Sequence, residues 1–97
     1  MAFPINSFKS AFKGTKAVRV VVTDTTLEVW HYATCICRVT ADEIELDNGG
    51  YSTRTTKRHL NTCLDLLGKQ VGIIQKRFEW YLTDGKAFDR HMILARF

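Results

Sequence analysis

The sequence predicts a single α+β domain, an antiparallel sheet of about five to six strands packed on one main helix at residues 55–67. Three observations predict it. Leu60, Cys63, Leu64 and Leu67 fall at i, i+3, i+4 and i+7, which gives one apolar helical stripe. β-branched or alternating segments surround that stripe, separated by Asp24-Thr25-Thr26, Asp47-Asn48-Gly49-Gly50 and Thr83-Asp84-Gly85-Lys86, all rich in turn formers. A length of 97 residues with 45% hydrophobic character suits one core and is too short for two.

Residues 1–16 read as an N-terminal arm or short helix, and 17–97 as the α+β core. In the arm, Phe8 and Phe12 stand one helical turn apart and Gly14 is placed as a stop. That small apolar face is expected to dock on the domain, the other reading being a contact with a dimer mate or partner. Ala17 to Val22 is continuous and β-branched, and beyond the Asp24-Thr25-Thr26 turn the segment Leu27 to Val39 reads as one long second strand of a hairpin. Leu27, Val29, Ala33, Cys35, Cys37 and Val39 then share the inward face, with Trp30, Tyr32 and Ile36 on the other. Trp30 and Tyr32 are expected to be covered by the arm. Ile44 and Leu46 alternate with charged residues as in a half-buried strand, and Gly68 is placed to end the helix. Val71 to Phe78, Glu79 to Thr83 and Phe88 to Leu94 read as three further strands.

Composition narrows function by exclusion. No run approaches the length of apolar residues that a membrane span needs, and the first residues lack the core of a secretory signal. The expectation is a cytoplasmic protein without a membrane partner. Three cysteines form a poor disulfide framework, and Cys35, Cys37 and Cys63 lack the C-x-x-C spacing of a zinc knuckle, so small buried thiols and no metal or other cofactor are expected. His31, His59 and His91 accompany no nucleophile elbow or metal-binding pair, which argues against an enzyme. Asp42, Glu43, Glu45 and Asp47 could serve a metal-dependent hydrolase only if gathered on one ion; a solvated acidic turn is the simpler reading.

The formal net charge is +4, and its basic part is uneven. The main helix opens in the run Tyr51-Ser52-Thr53-Arg54-Thr55-Thr56-Lys57, followed by Arg58. Ser52, Thr53, Thr55 and Thr56 crowd a helix start that needs one hydroxyl as its cap. Lys57 and Arg58 are of the wrong sign there, because the helix dipole makes its first turn positive, at a penalty of about 0.3–1 kcal/mol per charge. Two accounts are open. Asp42, Glu43, Glu45 or Asp47 neutralise these cations, or an anion such as phosphate gathers the helix amides, the hydroxyls of Thr53, Thr55 and Thr56, and Arg54, Lys57 and Arg58.

The stretch Asn48 to Asn61, NGGYSTRTTKRHLN, resembles a pattern found in small bacteriophage proteins without an assigned activity. In those proteins an aromatic, usually Trp, precedes alternating Thr and a Thr-Thr-basic-x-basic-Leu-Asn helix start. Tyr51 takes the usual Trp place here, and His59 the usual Arg place. A hairpin with His31 before the helix and the pair Trp80-Tyr81 after it are similar too. The resemblance spans about two thirds of the chain and implies a phage origin, with no mechanism. Such proteins are often non-enzymatic binders of nucleic acid or host machinery, host defence included.

The expected function is therefore a non-enzymatic phage-type binding protein that engages nucleic acid or a phosphate-bearing ligand through Thr53, Arg54, Thr55, Thr56, Lys57 and Arg58. The alternative is an inhibitor of a host or host-defence protein acting through an apolar patch of Phe8, Phe12, Trp30 and Tyr32. Oligomeric state is left open.

Overall fold

Alternation and turn chemistry generate most of the architecture, which a computed structural model describes for residues 3–50 and 53–96. Tyr51 and Ser52, part of the predicted helix-start run, lie outside the described residues. Helix α1 (Ile5–Ala11) leads into β1 (Val18–Val22), β2 (Leu27–His31), β3 (Thr34–Val39) and β4 (Glu43–Asp47). Helix α2 (Arg54–Leu66) follows, then β5 (Ile73–Lys76), β6 (Glu79–Leu82), β7 (Ala87–Phe88) and β8 (His91–Ala95). The single predicted sheet is two sheets: β1-β2-β3-β4-β8, antiparallel throughout, and β5-β6-β7.

The predicted long strand from Leu27 to Val39 is a hairpin of its own. Its two-residue turn is Tyr32-Ala33, with Tyr32 at φ 55°. Nothing in that dipeptide is a usual turn former, so alternation alone carried the strand through it. A bulge sits just beyond: Val29 pairs with Cys37 and Trp30 with Cys35, leaving Ile36 as the extra residue. Ile36 and Cys37 are consequently both buried, and the expected outward placement of Ile36 and inward placement of Cys35 are corrected. Trp30 and Tyr32 are not covered by the arm: Trp30 is half-buried under Arg19, whose guanidinium lies 5.1 Å from its ring, and Tyr32 is 63% exposed.

Of the later predicted strands, Val71 to Phe78 is shortened to Ile73–Lys76 and Phe88 to Leu94 divides. Arg77 and Phe78, at φ 52° and 70°, form the tight β5–β6 turn with both central residues left-handed and neither of them glycine. The last piece breaks at Asp89-Arg90, where Asn48 takes the Arg90 carbonyl with its amide (3.0 Å) and the Asp89 carbonyl with its side chain (3.2 Å). β7 and β8 thereby enter different sheets.

One core joins these layers. Phe8 and Phe12 of the α1 segment, Leu27, Val29, Val39, Ile44 and Leu46 of the large sheet, Leu60 and Leu64 of α2, and Trp80, Leu82 and Phe88 of the small sheet are buried together. α1 is thus docked. α2 ends in a Schellman turn: Gly68, at φ 73°, donates to Asp65 and Lys69 donates to Leu64, both at 3.0 Å. Asn61, half-way along α2, clamps the start of β5 by donating to the Ile73 carbonyl and accepting its amide.

Candidate functional site

The start of α2 is placed by the link from β4. Asp47 and Asn48 accept the amides of Gly49 and Gly50 through their side chains at 2.6 and 2.8 Å, a pair of tight Asx turns. Gly49 is at φ 68°, and a Cβ there would stand 2.7 Å from Oγ1 of Thr34, so only glycine lets the link pass the β2–β3 turn. Thr53 then caps the helix: its hydroxyl oxygen accepts the Thr56 amide at 3.1 Å and its proton goes to the Thr56 hydroxyl at 2.9 Å. The hydroxyls of Thr53 and Thr56 are therefore tied to each other as part of folding, while Thr55 is exposed.

A cleft of about 430 Å³ opens beneath this cap. Among the described residues His31, Tyr32, Ile36, Asn48, Thr53 and Thr56 line it, so one wall is the β2–β3 turn and the other the first turn of α2. Behind that wall His59, 4% exposed, packs edge-on against His31 (5.0 Å between ring centroids) and Phe12 (5.7 Å). Burial holds the His59 imidazole below its usual range, and neighbouring His31 and Arg58 act in the same direction. Neutral His59 is thus a packing group at the junction of α1, β2 and α2. The Tyr32 amide donates to the Ala17 carbonyl at 2.9 Å, which ties the loop carrying Lys16 to the same end of the molecule.

The charges separate by region. Arg54 and Arg58 are exposed and Lys57 is half-buried, and the first turn of α2 contains no acidic residue. None of the three makes an ion pair among the described residues. The carboxylates proposed to neutralise them are elsewhere: Glu45 meets Arg38 (3.3 Å) and His91 (2.6 Å), and Asp47 meets Arg90 (3.8 Å). Glu43 lies at the opposite end of β4, about 13 Å from Asp47 at strand spacing, and Asp42 precedes it in the β3–β4 turn. Glu28 completes the outer row, where the Trp30 indole, with help from Arg38, holds its carboxyl below the ordinary value against the opposing effect of burial.

Each predicted site residue can now be placed. Thr53 and Thr56 line the cleft, and Arg54, Thr55, Lys57 and Arg58 follow on the same helical turns. Phe8 and Phe12 are interior, at 0% and 6% exposure, so with Trp30 and Tyr32 they do not make one exposed apolar patch. The thiols are packing groups: burial pushes Cys35 up to about 11, and contact with Cys37 together with burial raises Cys63. The described residues bring no three of His, Cys, Asp and Glu into a metal-sized group, and no helix among them is long and apolar enough to cross a membrane. Sequence reasoning missed Phe78, 92% exposed at the β5–β6 turn. The signal available was the basic-aromatic run Lys76-Arg77-Phe78 between two alternating segments.

Comparison with known proteins decides the lineage. The chain belongs to the Kyanoviridae Gp96 protein family. The match covers residues 4–95, both helices and both sheets included, and it makes this a phage protein, as the helix-start resemblance implied. No curated protein and no solved structure matches the chain. Membership in the Gp96 family supplies origin and no chemistry, which leaves the site itself to speak for function.

Proposed function

We propose that this member of the Gp96 family is a non-enzymatic binding protein that holds phosphate groups, those of a nucleic acid above all, at the start of α2. The observation that supports the reading is that Arg54, Lys57 and Arg58 make no ion pair among the described residues. A cation in the first turn of a helix opposes the dipole, and one without a carboxylate beside it has nothing in the described fold to offset that cost. A phosphate offsets it and also takes the amides of Arg54 and Thr55, which the helix itself cannot satisfy. The Thr55 hydroxyl is exposed beside them. The cleft lies next to these groups and is lined by hydroxyls, an amide, rings and the apolar Ala33 and Ile36, with no carboxylate among the described residues of its walls.

Fluorescence anisotropy with a labelled oligonucleotide at low salt tests this reading. The wild-type chain is expected to bind, with affinity falling steeply as salt is raised, and Lys57→Ala with Arg58→Ala to lose tenfold or more. Absence of binding at low salt, or a double variant that binds like wild type, overturns it.

A further inference from the structure

Each of the two sheets ends in two strands with a neighbour on one side only, and such an edge leaves backbone N–H and C=O groups ready to pair with another chain. Three of these edges, β5, β7 and β8, are blunted. Asn61 takes both the amide and the carbonyl of Ile73 on β5, at 2.6 and 3.0 Å. The Lys69 ammonium lies on the Ala95 carbonyl of β8 at 3.0 Å, and β7 is two residues long.

β1 carries no such device. The Ala17 carbonyl accepts the Tyr32 amide and the Thr23 amide donates to the Thr26 carbonyl, so residues 17, 19, 21 and 23 direct their backbone groups to β2. Those of Val18, Val20 and Val22 are left on the open side. Of these, only the Val18 amide has a partner among the described residues, the Thr15 carbonyl at 3.4 Å. The run VRVVV contains no proline, glycine or bulge, and its single charge, Arg19, is laid over the Trp30 ring. The side chains of Val18, Val20 and Val22 are half-buried against the core, so the apolar layer runs up to the open edge and stops there.

Symmetry and charge say what pairs with this edge. The three open residues are evenly spaced about Val20. An antiparallel copy related by a two-fold axis at Val20 sets Val18 against Val22 of the second copy, Val20 against Val20 and Val22 against Val18, and each of these pairs can exchange two hydrogen bonds. The same register sets Lys16 opposite Asp24 of the second copy, and Asp24 opposite its Lys16. Both side chains are exposed, and neither makes an ion pair among the described residues. A parallel neighbour in that register would bring like charges together. From the open backbone row and its complementary ends, we propose that the chain forms a two-fold dimer through β1, which joins two five-stranded sheets into one continuous antiparallel sheet. Pairing there uses up the unblunted edge, so the assembly closes at two chains.

Sedimentation equilibrium of the full chain, from micromolar to millimolar concentration, tests this interface. The wild type is expected to pass from 11.1 kDa toward twice that mass and no further. Val20→Pro removes a donor that β2 does not use, so the hairpin keeps its bonds and the variant is expected to stay monomeric. Each of Lys16→Asp and Asp24→Lys turns two attractions into repulsions and is expected to weaken the dimer about three- to tenfold, the two together returning it to within about twofold of wild type. That rescue is a readout which damage to the fold would not give. Hydrogen exchange at the Val20 and Val22 amides is expected to slow as concentration rises, with the Ile93 amide on β8 unchanged. A monomer at every concentration, mass growing beyond a dimer, a dimer that survives Val20→Pro, a charge exchange without rescue, or protection at Ile93 in place of Val20 overturns the β1 interface.

Discussion

On the open face of the five-stranded sheet, Arg38 lies between Glu28 and Glu45, Glu45 also meets His91, and Asp47 meets Arg90; at the start of α2, Arg54, Lys57 and Arg58 meet no carboxylate among the described residues. Both regions are made from the same stretch of chain, since the acidic run of β4 leads within a few residues into the basic start of α2. The difference lies in direction. Alternation in β4 sends Glu43, Glu45 and Asp47 to the face away from the core, and the Asx turns at Asp47 to Gly50 carry the chain round to the other side before the cations begin. Charge satisfied within the fold contributes to folding; charge left unsatisfied is available to a ligand.

The largest expected effect is on the link that separates the two regions. Gly49→Ala places a Cβ against Thr34 at a left-handed position and is expected to cost about 2–3 kcal/mol, measured by urea unfolding. The same substitution with Thr34→Ala keeps the backbone cost and removes the overlap, so about half the loss should return. Next is Arg38→Met, which leaves Glu28 and Glu45 facing each other. With Arg38 side chain 41% exposed and hence screened, a loss of about 1 kcal/mol is expected, shrinking in high salt. In the other region the sign reverses: Lys57→Ala with Arg58→Ala is expected to raise stability by about 0.5–1 kcal/mol while removing ligand binding. A loss of stability there would mean the two cations serve the fold.

The smallest effect is one of pH. His59 has its folded value held below its unfolded one, so below the ordinary imidazole range the unfolded chain takes up a proton that the folded chain refuses. Stability from neutral His59 is complete above the unfolded value and declines as pH falls through it. Glu28, with its folded value lowered from 4.5, loses its contribution only in stronger acid, so the two windows separate. Wild type is expected to melt earlier at pH 5 than at pH 7, and His59→Phe to show a flatter dependence in that interval.

Much of this fold is legible in the residues, and the parts that are not share one cause. The α2 stripe, the Gly68 ending, the half-buried β4 and the docking of Phe8 and Phe12 follow from periodicity and capping, which depend on near neighbours. The division of Leu27 to Val39 at Tyr32-Ala33 and the break at Asp89-Arg90 both occur where no glycine, asparagine or proline marks a turn. Tertiary partners impose them: Ala17 holds Tyr32, and Asn48 holds Asp89 and Arg90. The cations at the helix start were evident from the sequence as wrongly signed. That β4 would carry its carboxylates away from them was not, because it depends on which way a turn leads the chain.

The most direct test of the central claim is an NMR titration of the amide spectrum with a short phosphate-bearing oligonucleotide at low salt. Shifts are expected at Arg54 to Arg58 and at Tyr32, with the paired row of Glu28, Arg38, Glu45 and His91 unmoved. Shifts confined to that paired row, or none anywhere, would contradict the account.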